Sequence, residues 1–173
     1  MNAEAPIEIV PYDPAWPELF RQESDALTRV LAPWLARGIE HIGSTAVPGL
    51  SAKPVIDIMA AVLSLETSRP AISAAASLGY CSFPYQADLE HWFCKPSAAL
   101  RTHHLHLVPV DSAQWVRSLA FREYLRTNPD IAAEYADLKR GLAERFRLDR
   151  EAYTSAKGPF IDSIVEKAIA AGF

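Results

Sequence analysis

The stretch KPVIDIMAAV, residues 53–62, is almost continuously apolar and contains a single carboxylate, Asp57. An apolar run of this length is typical of a strand buried on both faces. An ionised carboxylate in such a strand costs several kcal/mol unless it is paired with a cation or bound to a metal. We therefore expect Asp57 to face Lys53, histidines of a neighbouring strand or a bound cation, or else to form a purely structural ion pair.

Patterns elsewhere place this strand in a mixed α/β fold. Apolar residues at helical spacing, together with capping residues, predict helices over residues 14–37, 67–78, 112–126, 129–146 and 155–171. Alternating or continuous apolar runs predict strands over residues 39–42, 53–62, 80–85, 89–94 and 102–110. Strands in the middle of the chain, with helices at both ends, predict a small mixed sheet flanked by helices and a helical C-terminal third.

Length and charge limit the classes of protein to consider. A chain of 173 residues fits one ordinary domain, which we expect to span residues 1–173. The net charge of −4 gives no basic field for nucleic acid, so any anion site must be local. No apolar stretch approaches the ~18 residues of a membrane helix, and the first residues lack the pattern of a secretory signal. We therefore predict a cytoplasmic protein without a membrane partner.

A Gly-Ser-Thr turn follows the predicted strand over residues 39–42. The backbone N–H groups of Gly43 and Ser44, with the Ser44 hydroxyl, are suited to bind phosphate at a turn or at the start of a helix. Thr45 is equally suited to cap a short helical turn or to contact the same anion. Turns of this composition are also common without a ligand, so both interpretations stay open at this point.

Three of the five histidines lie within four residues, in the predicted strand RTHHLHLVPV over residues 101–110. Alternation along a strand predicts that His104 and His106 share one face, while Arg101 and His103 share the other. Two imidazoles on one face can bind a metal or act as general acid and base, because their pKa lies near neutrality. The alternative is that they are hydrogen-bonded residues of the core.

Two lysines are candidates for anion binding. Lys157 comes just before Gly158, where the pattern predicts the entrance to the last helix, so we expect its ammonium group to face an anion. Lys53 lies four residues before Asp57 on the same face of the predicted strand, where it is a candidate partner for that carboxylate.

Five segments of the chain together resemble the GrpB family: VPYDPAWPELF, HIGSTAVPGLSAKPVIDI, HHLHLV, FREYLR and YTSAKGPFI. The resemblance spans nearly the whole chain. It implies a nucleotidyltransferase-like fold, in which a Gly-Ser turn after one strand holds a triphosphate and acidic residues on the next strands hold a divalent metal. Gly43 and Ser44 then match the phosphate turn, and Asp57 matches the first metal-binding carboxylate. Some family members carry a similar domain fused to a dephospho-CoA kinase.

Two positions depart from the pattern of that superfamily. The pattern has a second carboxylate separated from the first by one residue, and Met59 stands at that position in this chain. It also has a third carboxylate on a later strand, where this sequence offers His104 or His106. One carboxylate with histidines binds fewer or softer ions than a pair of magnesium ions. This donor set therefore argues against a standard two-magnesium mechanism, and the candidate metal is magnesium or manganese, with zinc as the alternative.

Three functional hypotheses follow from these residues. The first is a nucleotidyltransferase-like enzyme that uses a metal to transfer a nucleotidyl or phosphoryl group from a nucleoside triphosphate to an unknown acceptor. In that hypothesis Asp57, His104 and His106 bind the metal or activate the acceptor. The predicted nucleotide-binding residues are Gly43, Ser44, Thr45, Lys53, Arg101 and Lys157. The second hypothesis is an inactive nucleotide- or anion-binding module, and the third is a structural or partner-binding domain.

Overall fold

The apolar strand lies inside a five-stranded sheet flanked by helices. The computed structural model describes residues 5–173, which fold as the mixed α/β structure that the sequence predicts. Its α-helices are α1 (Trp16–Leu31), α2 (Ala71–Ala76), α3 (Ala113–Thr127), α4 (Pro129–Arg145) and α5 (Arg150–Ala170). Its strands are β1 (Leu35–Ile42), β2 (Ile56–Val62), β3 (Cys81–Phe83), β4 (His91–Pro96) and β5 (Arg101–Pro109).

The sheet has the order β1-β2-β5-β4-β3, so β2 lies between β1 and β5. β2 and β5 run parallel, and the other neighbouring strands are antiparallel. The parallel register sets Asp57 beside His104 and Met59 beside His106. Because side chains at paired positions point to the same side, these four residues share one face of the sheet. The prediction that the two histidines share a face is confirmed.

Helices α1 and α2 cover the opposite face. Leu27 and Leu31 of α1 pack in one cluster with Ile58 and Leu105 of the central strands, and none of the four is more than 1% exposed. In β2 only Asp57 is not fully buried. Burial of these apolar side chains stabilises the fold by ~25 cal/mol for each Å² of apolar surface removed from water.

The C-terminal helices α3, α4 and α5 pack against one another and against the loop between β1 and β2. Val47 and Leu50 of that loop are buried with Leu125 of α3 and Ile164 of α5. The helical third therefore reaches the turn that follows β1. No helix within residues 5–173 has the length and apolar character needed to cross a membrane.

Two of the predicted helix boundaries are wrong in ways that affect the site. The first helix ends at Leu31, although the pattern predicted helix through residue 37. Pro33 explains the early end, because proline has no N–H to continue the helical hydrogen bonds and its ring clashes with the carbonyl four residues earlier. The last helix begins at Arg150, where the Asp149 carboxylate accepts a hydrogen bond from a backbone N–H of the first turn. Lys157 therefore lies inside α5 and not at its entrance.

Candidate functional site

The centre of the sheet brings Asp57 into contact with a histidine of the neighbouring strand. Nδ1 of His104 donates a hydrogen bond to Oδ1 of Asp57 at 2.8 Å. Burial alone would raise the pKa of Asp57, but this hydrogen bond and the charges of His104, His106 and Lys53 outweigh it and lower the pKa to about 2. Burial lowers the pKa of His104, against the opposing effect of Asp57. At neutral pH the site therefore holds an ionised carboxylate oriented by a neutral imidazole.

The turn after β1 is built directly against this carboxylate. Gly43 has a φ of 71° and a ψ of −171°, a conformation open essentially to glycine alone. A Cβ atom at this position would lie 2.5 Å from Oδ2 of Asp57. The predicted phosphate turn and the predicted metal-binding carboxylate are therefore adjacent in space.

A lysine that sequence analysis did not single out lies at the same turn. Nζ of Lys139, in α4, donates hydrogen bonds to Oγ of Ser44 at 2.8 Å and to the carbonyl of Ser51 at 2.5 Å. Lys139 is only 2% exposed. Burial, reinforced by the charges of neighbouring basic residues, lowers the pKa of Lys139 to about 7. The turn thus has a buried ammonium group as its direct neighbour.

The two lysines predicted to bind an anion, Lys53 and Lys157, lie close together at the ring of Tyr153. Lys53 precedes β2, and Lys157 lies in α5. The Nζ atoms of Lys157 and Lys53 lie 4.6 and 5.2 Å from the centre of the Tyr153 ring. Burial and the charge of Lys53 lower the pKa of Lys157 to about 8. The prediction that Lys53 lies on a strand is wrong, since β2 begins at Ile56. Among residues 5–173 no salt bridge joins Lys139 or Lys157 to an acidic side chain, so these two lysines form a local basic site.

His106 faces the same side of the sheet but is bound elsewhere. Its Nδ1 donates to Oε2 of Glu90 at 2.6 Å, and the Glu90 side chain is 1% exposed. Burial opposes the charged imidazole, yet Glu90 raises the pKa of His106 above its ordinary value. In the described chain, residues 5–173, no three His, Cys, Asp or Glu side chains lie close enough to hold a metal ion together. Asp57, His104 and His106 therefore share a face without forming a common three-ligand site.

A β-bulge reverses the predicted direction of Arg101. The register between β4 and β5 shifts by one residue where Pro96 pairs with Arg101. The guanidinium lies over the Trp92 ring, 5.3 Å from its centre, and that ring centre is 5.3 Å from the ring of His104. The prediction that Arg101 shares a face with His103 is therefore wrong, and Arg101 lies on the His104 side.

The hydroxyl of Thr45 is used inside the protein. It donates to the carbonyl of Val55 at 3.2 Å and accepts a hydrogen bond from Nε2 of His41 at 2.9 Å. Thr45 is buried inside a 3-10 helix, Ser44–Ala46, whose N-cap is Gly43, so the alternative that Thr45 caps a short helical turn is wrong. Its contacts position the turn and leave no free hydroxyl for an anion.

The neutral form of His41 contributes to stability. Burial lowers its pKa from an ordinary 6.5 to about 4. Because the pKa is depressed in the folded state, this contribution is complete above pH 6.5 and is lost as the pH falls towards 4. We expect the free energy of unfolding in urea to decrease over this window, and to decrease less in His41→Gln, which keeps a donor for Thr45. Equal decreases in the two proteins would contradict this assignment.

Two arginines of α3 hold the turn from the other side. Nε and Nη2 of Arg126 donate to the carbonyl of Ala46 at 3.0 and 2.8 Å. Nη1 of Arg122 donates to the carbonyl of His41 at 2.8 Å and pairs with Glu40 at 2.7 Å. The C-terminal helices therefore contribute to the turn in two ways. Helix α4 supplies the lysine that contacts Ser44, and α3 supplies the arginines that bind the backbone carbonyls of the turn.

Sequence reasoning missed Lys139 and Glu90 for different reasons. Lys139 lies on the buried stripe of α4 with Tyr135 and Ala136, at helical spacing, where a solvated lysine is not expected. A lysine at a position where the helical spacing predicts burial was therefore a sequence signal for a functional or paired lysine. Glu90 stands in a polar loop before β4, and its burial depends on a pairing with His106 that local sequence does not specify.

The family model of the GrpB protein matches residues 6–167 of the chain. The chain belongs to the GrpB family. It is 42% identical over 170 residues to a UPF0157 protein of Pseudomonas aeruginosa, which covers 95% of this chain and 69% of that protein. The crystal structure of GrpB from Enterococcus faecalis matches with a TM-score of 0.86 and 36% identity, over 95% of this chain and 98% of that one. A dephospho-CoA kinase of Mycolicibacterium paratuberculosis is 27% identical over 191 residues, which are 96% of this chain but 47% of the kinase.

Proposed function

We propose that this GrpB protein uses a divalent metal to transfer a nucleotidyl or phosphoryl group from a nucleoside triphosphate to an acceptor hydroxyl. The observation that carries the proposal is the buried Lys139 on the turn beside Asp57, with the buried Lys157 close enough for its charge to act on Lys139. Lys139 contacts Ser44 of that turn, while Lys53 and Lys157 meet at the neighbouring Tyr153 ring. A polyphosphate chain is the ligand that several ammonium groups beside such a turn favour.

Burial makes these lysines stronger anion partners than exposed ones would be. Lys139 and Lys157 both have lowered pKa values, so each ammonium group is held at a cost in the free protein. A bound phosphate supplies charge-assisted hydrogen bonds in a poorly solvated place, where they are strong. The free energy of phosphate binding therefore includes relief of the repulsion between the lysines.

The donor atoms around Asp57 suit magnesium or manganese better than zinc. Magnesium is commonly held by one or two carboxylates together with substrate phosphates and water. Asp57 supplies one carboxylate, and the phosphates at the Ser44 turn would supply further oxygens. Zinc needs three or four protein ligands, whereas His106 is bound to Glu90. The metal, when bound, would withdraw negative charge from the phosphates.

In the proposed step the oxygen of the acceptor hydroxyl attacks a phosphorus atom of the triphosphate. A new P–O bond forms, the bond to the bridging oxygen breaks, and the leaving phosphate takes the bonding electron pair. Attack at the α-phosphorus releases pyrophosphate, attack at the γ-phosphorus releases nucleoside diphosphate, and the hydroxyl proton passes to water. Lys139 and Lys157 offset the charge that grows on the leaving group. Nε2 of His104, which has no hydrogen-bond partner within residues 5–173, accepts a hydrogen bond from the hydroxyl.

Met59 favours a second candidate function. It stands where the superfamily pattern has a second carboxylate, and it is completely buried. A module with the turn, the lysines and Asp57 but without turnover would bind a nucleotide and leave it intact. The name of the Mycolicibacterium relative, a dephospho-CoA kinase, fits a nucleotide-related role in either case.

Ligand titration tests the phosphate site. We expect ATP with magnesium to raise the melting temperature of the wild type, because a ligand that binds only the native state stabilises it by mass action. Lys157→Met should weaken ATP binding about tenfold, the scale of one lost charge-assisted hydrogen bond. Isothermal titration calorimetry measures this effect against Lys167→Met, the same substitution at an exposed position of the same helix.

The outcomes separate the hypotheses. Equal ATP affinity in the two lysine variants would place the nucleotide away from the basic site and contradict the proposal. Absence of binding by the wild type, with ATP or GTP and with magnesium or manganese, would leave the structural or partner-binding domain as the remaining hypothesis. Binding without release of pyrophosphate or nucleoside diphosphate would favour the inactive module.

A further inference from the structure

An aromatic cluster lies beyond His104 on the same face of the sheet. The centre of the Trp92 ring is 5.7 Å from that of Phe83 and 6.0 Å from that of Tyr85. Trp92 is partly buried, whereas Tyr85 is 52% exposed. The cluster of Phe83, Tyr85 and Trp92 therefore presents ring surface to solvent beside the candidate site, and the proposed phosphate site does not use it.

Arg101 lies against this aromatic cluster in a fixed orientation. Its guanidinium is 5.3 Å from the centre of the Trp92 ring, and its Nε donates to the carbonyl of Ala98 at 3.0 Å. A guanidinium stacked on an indole combines a flat surface with a positive charge. Such a pair suits a ligand with a flat, electron-rich ring.

The order of the strands puts the lysines and the aromatic cluster on opposite sides of Asp57. Ser44 follows β1, Asp57 lies in β2, His104 in β5 and Trp92 in β4, and these strands are neighbours in that order. In phosphoryl and nucleotidyl transfer the attacking oxygen and the leaving group lie roughly in line, on opposite sides of the phosphorus. With the leaving phosphate at the lysines, the acceptor enters from the side of Trp92.

We propose that the aromatic cluster and Arg101 bind a nucleobase of the acceptor, so that the attacking group is a ribose hydroxyl of a nucleoside or nucleotide. This inference rests on the proposed function and names the acceptor class for the same site. Stacking on aromatic rings and on arginine is the usual way in which proteins hold an unpaired base. His104 lies between the cluster and Asp57, where its Nε2 is a hydrogen-bond acceptor for that hydroxyl.

Adenosine and inorganic tripolyphosphate test the two halves of the site separately. Tripolyphosphate has no base and adenosine has no phosphate, so the two should bind the wild-type protein together. We expect Trp92→Leu to weaken the binding of adenosine to the tripolyphosphate-saturated protein about tenfold, because the variant lacks the indole ring on which the base would stack. The affinity for tripolyphosphate should stay unchanged in this variant. Trp92→Phe, which retains a ring, should keep most of the affinity for adenosine.

Three results would overturn this inference: equal adenosine affinity in wild type and Trp92→Leu, displacement of adenosine by tripolyphosphate, or no binding of adenosine. Failure of tripolyphosphate to bind the wild type would instead overturn the proposed function, and titration of adenosine alone would still test the aromatic cluster. If circular dichroism shows that Trp92→Leu does not fold, Tyr85→Ser at the exposed edge replaces it. That variant should weaken adenosine binding about threefold, and an unchanged affinity would overturn the inference.

Discussion

Replacing Asp57 with asparagine is expected to lower the turnover of a nucleoside triphosphate about 10³-fold or more, about 4 kcal/mol in activation free energy. Asparagine has almost the same shape but brings no negative charge to a metal. Because the pKa of Asp57 is about 2, the wild-type side chain is charged throughout the ordinary assay range. The loss should therefore be independent of pH. Release of pyrophosphate and of nucleoside diphosphate measures the effect for both possible reactions.

The same variant has a binding phenotype that needs no acceptor. Wild-type protein should bind ATP more tightly with magnesium than with a chelator, and Asp57→Asn should lose that difference. Asp88→Asn, the same change at an exposed loop residue, should behave as wild type. Full turnover in Asp57→Asn would remove Asp57 from the mechanism. An unfolded variant would show that Asp57 serves as a structural partner of His104, and the site assignment would fail.

Replacing Gly43 with alanine should lower the free energy of unfolding by about 3 kcal/mol. Backbone strain accounts for about 1–3 kcal/mol, because the φ and ψ of Gly43 lie in a region almost exclusive to glycine. Crowding adds about 1–3 kcal/mol, because the new Cβ would lie 2.5 Å from Oδ2 of Asp57 and one of the two must move. Urea unfolding measures the loss.

A second glycine separates strain from crowding. Gly49 also has a positive φ, of +80°, but a Cβ there would meet no atom within 4 Å. Gly49→Ala should therefore show the strain alone and lose less stability than Gly43→Ala. If the two variants lose the same amount, the contact between the turn and the carboxylate has no energetic weight. Gly43→Ala should in addition weaken ATP binding, whereas Gly49→Ala should leave it unchanged.

The central pair of the site was accessible to sequence reasoning because it depends on strand geometry. The apolar run around Asp57 predicted a buried strand, and alternation in the histidine cluster predicted that His104 and His106 share a face. Both features follow from a side-chain period of two residues. The contact between Asp57 and His104 then required only that the two strands be neighbours.

The rest of the site depends on events that local patterns do not encode. A bulge beside Pro96 turned Arg101 to the other face, and one inserted residue is enough to invert every later side chain. Pairing of His106 with Glu90 depends on the register between β4, which Glu90 directly precedes, and β5, which carries His106. Lys139 reaches Ser44 only because α4 packs across the loop between β1 and β2. Its position on the buried stripe of α4 set Lys139 apart from the exposed lysines, but only the packing of α4 shows that it contacts Ser44.

The ammonium group of Lys139 donates hydrogen bonds to both Ser44 and Ser51. One side chain of α4 therefore connects two separate parts of the loop between β1 and β2. The two partners Lys139 and Ser44 are 95 residues apart in the chain. Under the proposed function, a substitution that loosens the packing of α4 is therefore expected to lower the affinity for a polyphosphate. The same linkage predicts that a polyphosphate bound at the Ser44 turn would stabilise the packing of α4 on the loop between β1 and β2.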